Sequence, residues 1–258
     1  MRIVVIGAGR LASCLVPALQ AGGAQVLQVW SLHEASARAL ASGLGCEAVC
    51  GTTHVRRDAD MYLICVRDNA IADVARMLLP LPEEAVVAHT SGSTPIDVLT
   101  ASGCRHAAVV YPMQTFTKGR DIDFSRVHFF IEATTDHARQ KAEALALCVT
   151  HPDNIHPLAS AERQQLHLAA VFVSNFVNHC CTIADRLLQP TGLDFSVMQP
   201  LLAETADKLL TLTPTEAQTG PALRWDTDVI ERHRQLLLPY PNILDIYNKM
   251  SESIHSTT

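Results

Sequence analysis

The sequence has no cluster of lysine and arginine, and its 258 residues carry a formal charge of −6. That excludes a nucleic-acid-binding surface, which needs a basic patch to meet phosphates. No uninterrupted apolar stretch reaches the roughly 20 residues of a membrane span, so no membrane association is expected. There is no CxxC pair among the eight cysteines, at positions 14, 46, 50, 65, 104, 148, 180 and 181. They fall mostly inside apolar runs and read as small reduced core residues, not as a disulfide framework. Cys46, Cys50 and the nearby His54 are the only grouping that suggests a metal, and no metal is expected. Internal repeats and low-complexity segments are absent. The first apolar run begins at residue 2 or 3 and leads straight into a turn motif, so no signal peptide is expected and the location should be cytoplasmic. Apolar residues make up 48% of the chain, enough for the core of one large or two modest domains.

What is present begins with the first dozen residues, MRIVVIGAGRLA. Ile3, Val4, Val5 and Ile6 form a short β-branched run, the pattern of a strand buried on both faces of a parallel sheet. The run ends at Gly7-Ala8-Gly9-Arg10-Leu11-Ala12, a match to G-x-G-x-x-G/A. Gly7 permits the tight strand-to-helix turn, Gly9 lets the backbone approach a pyrophosphate, and Ala12 lets the helix lie close to the strand. The following helix would aim its free N–H groups and positive dipole end at the phosphates. The alternative is a glycine-rich turn that binds nothing.

A second strand is predicted over 24–30, with a helix from Glu34. NAD sites place an acid at the end of that strand to bind the ribose 2′-hydroxyl. Positions 30–33 carry none, whereas Ser31 and His33 offer a hydroxyl and a cation for a 2′-phosphate. The pattern favours NADP, with NAD as the alternative. Further strands are predicted over 48–50, 61–66, 85–89, 107–111 and 127–132, with helices at 70–79, before 99 and at 136–149. This alternation describes an α/β domain with a doubly wound parallel sheet over residues 1–152. Ligands in such sheets bind beyond the carboxyl ends of the strands. Arg67–Asn69, His89–Ser93 and Tyr111–Thr115 fall at that edge, and Val66, Arg67 and His89 are expected near a bound nicotinamide. Ordinary turn and cap chemistry is the alternative for each.

Residues 151–157, with two prolines, read as a linker, and 153–258 as an all-helical domain. Its long first helix, predicted over 159–188, is apolar on almost every side from Leu166 to Val177, which implies burial in a core or a dimer interface. At about 100° per residue, His167 and Ser174 lie about 20° apart and Asn175 about 80° from His167. Such polar groups either bond neighbouring helices or point into a cleft. Further helices are predicted at 195–212, 227–238 and 242–253. The segment Thr219-Gly220-Pro221-Ala222-Leu223-Arg224-Trp225-Asp226 delivers an Arg and an Asp just before a helix. Arg224 either pairs with Asp226 to fix the turn or anchors an anionic substrate group.

GAGRLA, CVRDNAI, HTSGS, YPMQTF, HLAAVFVSNFVNH and TGPALRWDTDVIERH, in this order, resemble the Rossmann-like proteins that carry a C-terminal domain called DUF2520. The resemblance spans nearly the whole chain, and that family is similar in layout to pyrroline-5-carboxylate reductases and to 6-phosphogluconate and β-hydroxyacid dehydrogenases. It implies an N-terminal Rossmann domain binding NADP, a helical 6-phosphogluconate-dehydrogenase-like C-terminal domain and a homodimer formed through those helices. Hydroxyacid dehydrogenases place a lysine four residues before an asparagine on the long helix. Here the residue four before Asn175 is Val171, so that chemistry does not carry over. Two readings remain. In one, the protein is an NADP-dependent oxidoreductase acting on a small anionic carbonyl, imine, hydroxy or amino compound. Its catalytic residues are His167, Ser174, Asn175 and Arg224, and its cofactor-binding residues are Gly7, Gly9, Arg10, Leu11, Ala12, Ser31, His33, Val66, Arg67 and His89. In the other, it is a non-catalytic NADP(H)-binding sensor or scaffold.

Overall fold

The structure, a computed structural model, describes residues 1–51 and 55–257; His54 therefore lies outside the described residues. The chain divides into two compact units, Met1–Asn175 and Phe176–Thr258.

The first unit is built on eight strands: β1 (Arg2–Ile6), β2 (Gln25–Trp30), β3 (Glu47–Val49), β4 (Met61–Ile64), β5 (Val86–His89), β6 (His106–Pro112), β7 (Phe129–Ala133) and β8 (Ile155–Pro157). They form one sheet in the order β3-β2-β1-β4-β5-β6-β7-β8. Every neighbouring pair is parallel except β6 and β7. Helices α1 (Arg10–Ala21), α2 (Glu34–Leu44), α3 (Ile71–Leu78), α4 (Asp97–Thr100) and α5 (Asp136–Ala146) connect them. Two apolar clusters, one on each face of the sheet, hold the layers together. Ile3 and Val5 pack with Leu15 and Leu19 of α1 in one. Val4 and Ile6 pack with Val74 and Leu78 of α3 in the other. This doubly wound arrangement is the expected one, and it reverses direction between β1 and β4, where the glycine turn lies.

Two features depart from the sequence expectation. The presumed linker contains a short 3₁₀ turn (Pro152–Asn154) and β8, which adds to the outer edge of β7. A proline is tolerated on such an edge because its missing N–H faces no neighbour. The first unit consequently runs on to Asn175, past the expected boundary at 152, and includes α6 (Ser160–Ala170). The cysteines also differ: all eight are free, but only Cys65 and Cys104 are buried, where desolvation pushes their thiols up to about 12 and about 11.

The long helix is continuous from Ser160 to Thr191, and an 18-residue window of it is apolar enough to cross a membrane by length and composition. That differs from the sequence reading. Its first turns are nevertheless tied to the sheet by a buried ion pair and by polar side chains. Residues Val171–Phe176 form a π-helical turn between α6 and α7 (Val177–Leu188). The second unit continues with α8 (Gln199–Lys208), α9 (Pro214–Ala217), α10 (Pro221–Arg224), α11 (Thr227–Leu237) and α12 (Pro241–Thr257). His233 Nδ1 meets the Tyr247 hydroxyl at 3.0 Å and Arg234 Nε donates to Asn248 Oδ1 at 2.9 Å, fastening α11 to α12. Much apolar surface stays open, including Phe172, Val173, Leu201 and Leu210.

Candidate active site at the carboxyl edge of the sheet

The glycine turn has the geometry a diphosphate requires. Gly7 sits at φ 112°, and a Cβ there would stand 2.5 Å from the Cys65 carbonyl oxygen. Only glycine satisfies both constraints. Gly9 begins α1 without a side-chain cap, so the first N–H groups of the helix have no side-chain acceptor and remain available to an anion. Ala12 is fully buried, as close packing of α1 on the sheet demands. The cradle of Gly7, Gly9 and the α1 N-terminus therefore fits a dinucleotide. At the end of β2, Leu32 and His33 are exposed, while Ser31 is buried and its hydroxyl accepts from the His33 N–H at 3.3 Å. No carboxylate stands at this strand end before Glu34, which is already in α2 and pairs with Arg38.

The loop after β5 is fixed by its own polar groups. Ser91 Oγ accepts from the N–H groups of Ser93 and Thr94 at 3.2 and 3.0 Å, folding the loop on itself. Ser93 Oγ donates to Asp68 in the loop after β4. From the other side α6 clamps it. Arg163, with no solvent exposure, donates to Glu132 of β7 and to the Thr94 carbonyl, and Gln164 donates to the Ser93 carbonyl at 2.8 Å. Ser160 bridges Glu132 and the Ile96 N–H. A charge buried this deeply must be paired, and the pairing fixes the start of α6 against β7 and the 93–94 turn.

That clamp delivers His167 to the end of β6. The Tyr111 hydroxyl lies 3.1 Å from His167 Nδ1, and the two rings meet edge to face at 5.9 Å. Gly92 lies beneath both: a Cβ there would be 2.6 Å from Nδ1 and 2.9 Å from Tyr111 Cζ. This glycine is required for space, not for backbone conformation.

These groups open onto a cleft of about 690 Å³. Arg10 and Leu11 of the glycine motif form one wall, Tyr111 and Met113–Phe116 another, and His167, Ser174 and Asn175 a third, with apolar filling from Leu166, Ala170, Val171 and Val173. Among the described residues no carboxylate lines it. A second cavity of about 440 Å³ shares Gln114 and Thr115 with it and is lined by Arg120, Arg126, Asp121 and Asp123. The π turn explains how Asn175 reaches the cleft as well as Ser174. Hydrogen bonds from i to i+5 widen the turn, so each residue advances less than in an α-helix and Asn175 swings toward the face of His167. π turns of this kind recur at functional sites.

Of the residues singled out from sequence, the structure brings Arg10, Leu11, His167, Ser174 and Asn175 onto one cleft. Val66 packs beside Gly7, and Arg67 is exposed at the start of the next turn. His89, expected beside the nicotinamide, is instead fully buried: its Nδ1 accepts from the Ser91 N–H at 3.2 Å. Its ring is held neutral, with its pKa lowered to about 4 by desolvation and by the Arg163 charge. It shapes the turn. Its strand places Tyr111 at this edge, but nothing in residue order pairs it with His167, and Arg163 and Gly92 carry no sequence signal of their own. Arg224 belongs to the second unit. It is exposed at the end of α10, between Gly220 at φ 108° and Trp225 at φ 51°. Asp226 does not pair with it; its carboxylate caps α11 by accepting from the Val229 N–H. Left-handed backbone at a tryptophan is costly and is stabilised here by stacking on His255 at 4.6 Å. Among the described residues no group of three or more His, Cys, Asp or Glu could hold a metal.

Two family models match the chain. Residues 2–92 match the NADP oxidoreductase, coenzyme F420-dependent family, and residues 127–254 match the domain of unknown function DUF2520. A Bacteroides fragilis protein named as a candidate NADP oxidoreductase shares 40% identity over 99% of this chain and 98% of its own, with a TM-score of 0.94. A Thermotoga maritima protein is 22% identical over 98% and 97% of the two chains, with a TM-score of 0.72. The 1-pyrroline-5-carboxylate reductase of Streptococcus pyogenes shares the fold at 13% identity over 99% and 98%, with a TM-score of 0.64. No curated protein matches. The glycine cradle, the doubly wound sheet and these matches place the chain in the family of Rossmann-type NADP-dependent oxidoreductases that carry a DUF2520 domain.

Proposed function

We propose that the protein transfers a hydride between NADP(H) and a small anionic compound bearing a carbonyl or imine in one direction and a hydroxyl or amine in the other. The supporting observation is convergence: Arg10 and Leu11 of the glycine motif line the same cleft as His167, Ser174 and Asn175. Gly7, Gly9 and Ala12 would hold the dinucleotide, with Ser31 and His33 toward the 2′-phosphate and Val66 and Arg67 along the strand ends. When bound, NADPH supplies the hydride. His167 moves the proton to or from the substrate oxygen or nitrogen, the general acid–base role that histidine most often fills. Ser174 and Asn175 orient that atom; Arg224, exposed on the second unit, is the sequence's candidate for an anionic group. The open apolar surface of α7 and α8 is covered by a second copy of the chain, giving a cytoplasmic homodimer; α8 has no buried residue of its own.

NADPH consumption across a panel of keto acids, semialdehydes, cyclic imines and hydroxy acids tests the reading. At least one compound is turned over, and His167→Ala lowers that turnover by about 100-fold or more. Tight NADPH binding with no turnover anywhere in the panel would support a sensor instead. Val171, standing where hydroxyacid dehydrogenases have their lysine, keeps that second reading open.

A further inference from the structure

We propose that Tyr111 is a positioning residue for His167, fixing the imidazole proton on Nε2 and backing it with its own. The proposal rests on His167 being the proton carrier; the tautomer it specifies does not.

The argument begins with hydrogen-bond accounting. A phenol can donate one hydrogen, and a neutral imidazole has one donor and one acceptor nitrogen. The Tyr111 hydroxyl and His167 Nδ1 are 3.1 Å apart, and Tyr111 is only 8% exposed. If Nδ1 carried the proton, it would donate to the phenol oxygen, and the phenol hydrogen would have no protein acceptor within this pair. If the phenol donates to Nδ1, the hydrogen of Tyr111, the more deeply buried of the two, is paired, and the imidazole proton sits on Nε2. Most buried polar groups are hydrogen-bonded, and only this arrangement pairs the Tyr111 hydrogen. Burial also raises the Tyr111 pKa, so the hydroxyl stays protonated and able to donate.

The pair is built for this contact by three sequence-distant segments. β6 supplies Tyr111, α6 supplies His167, and the loop after β5 supplies Gly92, the only residue small enough to lie under both rings. Both side chains line the cleft, whereas a bond serving packing alone would have no need to open there.

In the reductive direction the substrate carbon gains the hydride and the C=O π pair moves onto oxygen. That oxygen takes the proton from His167 Nε2. The Tyr111 hydroxyl proton crosses to Nδ1, so the imidazole remains neutral; afterwards the Nδ1 proton returns to the phenolate and Nε2 takes a proton from water, which restores the Nε2–H tautomer. An alkoxide is a stronger base than a phenolate, so the transfer runs downhill; oxidation is the same sequence reversed.

The test is ¹⁵N NMR of the full chain labelled at histidine, at alkaline pH, with the His167 signal assigned by its loss in His167→Asn. The wild-type spectrum shows the Nε2–H tautomer predominating, and Tyr111→Phe shifts the signals toward an averaged pair. An Nδ1–H tautomer in the wild type, or a spectrum unchanged by Tyr111→Phe, overturns the proposal whether or not a substrate is known. With a substrate in hand, Tyr111→Phe lowers kcat by roughly 100-fold and leaves KM within about twofold; a raised KM at unchanged kcat overturns the proton transfer. If no compound is turned over, the oxidoreductase reading fails while the spectrum still decides the tautomer.

Discussion

Gly92 lies under His167 so closely that one added methyl group would stand 2.6 Å from the imidazole Nδ1. A side chain there must push the imidazole off Tyr111. Gly92→Ala is therefore expected to lower turnover by about 100-fold, the scale of an ångström-sized misplacement at a reacting group. NADPH affinity, measured by calorimetry, should stay within about threefold of wild type, because the glycine cradle lies elsewhere.

The cradle makes the opposite prediction. Gly7→Ala requires an alanine at φ 112° with its methyl 2.5 Å from the Cys65 carbonyl oxygen. The turn must open and carry the α1 N-terminus with it. NADPH binding should weaken by more than about tenfold and the thermal midpoint should fall, as strain of roughly 1–3 kcal/mol implies.

The Arg163–Glu132 pair predicts a stability effect. Both groups are largely withdrawn from water, at 0% and 16% side-chain exposure. Removing one partner strands the other, at a cost of about 3–5 kcal/mol. For a protein of this size Arg163→Met should lower the thermal midpoint by roughly 6–20 °C. Arg163→Met combined with Glu132→Leu should recover most of that loss, since the unpaired charge disappears with the second substitution. Scanning calorimetry of the single and double variants checks both.

His89 gives a pH dependence. In the unfolded chain it takes up a proton near its ordinary pKa of 6.5, whereas in the folded protein it does so only near 4. Between these values the unfolded state binds more protons, so stability rises with pH across that window. The contribution is fully present above 6.5 and is lost as pH falls toward 4, up to roughly 3 kcal/mol. Denaturant titrations at pH 4.5 and 7.5 should show a smaller difference for His89→Gln than for wild type.

Much of the fold could be read from the sequence. Gly7, Gly9 and Ala12 are legible because a turn, a close approach and a tight packing contact each demand a small residue at a fixed spacing. The buried parallel strands announce themselves as short β-branched runs. His167 and Ser174 were found by helical spacing, but the π turn that brings Asn175 alongside them leaves no mark in residue order. β8 was hidden because an edge strand accepts proline, and proline in sequence reads as a linker. Arg163 looked like any polar residue in a first helical turn; its burial depends on Glu132, 31 positions away. His89 is not legible because a polar residue at a strand end can face a ligand or turn inward, and only the packing around it decides.

Oligomeric state tests the proposed dimer separately. Light scattering should give twice the 28.1 kDa chain mass, and Leu201→Glu, on the open face of α8, should shift the protein toward monomer.

The central claim is that the cleft between Arg10, Tyr111 and His167 receives the nicotinamide. A crystal structure of the full chain with NADP⁺ tests it most directly. The account predicts the diphosphate on Gly7–Leu11 and the nicotinamide ring in that cleft, with His167 and Asn175 within hydrogen-bonding reach of a substrate placed against its reactive carbon. A nicotinamide lodged away from Tyr111 and His167, with the diphosphate correctly bound, would contradict it.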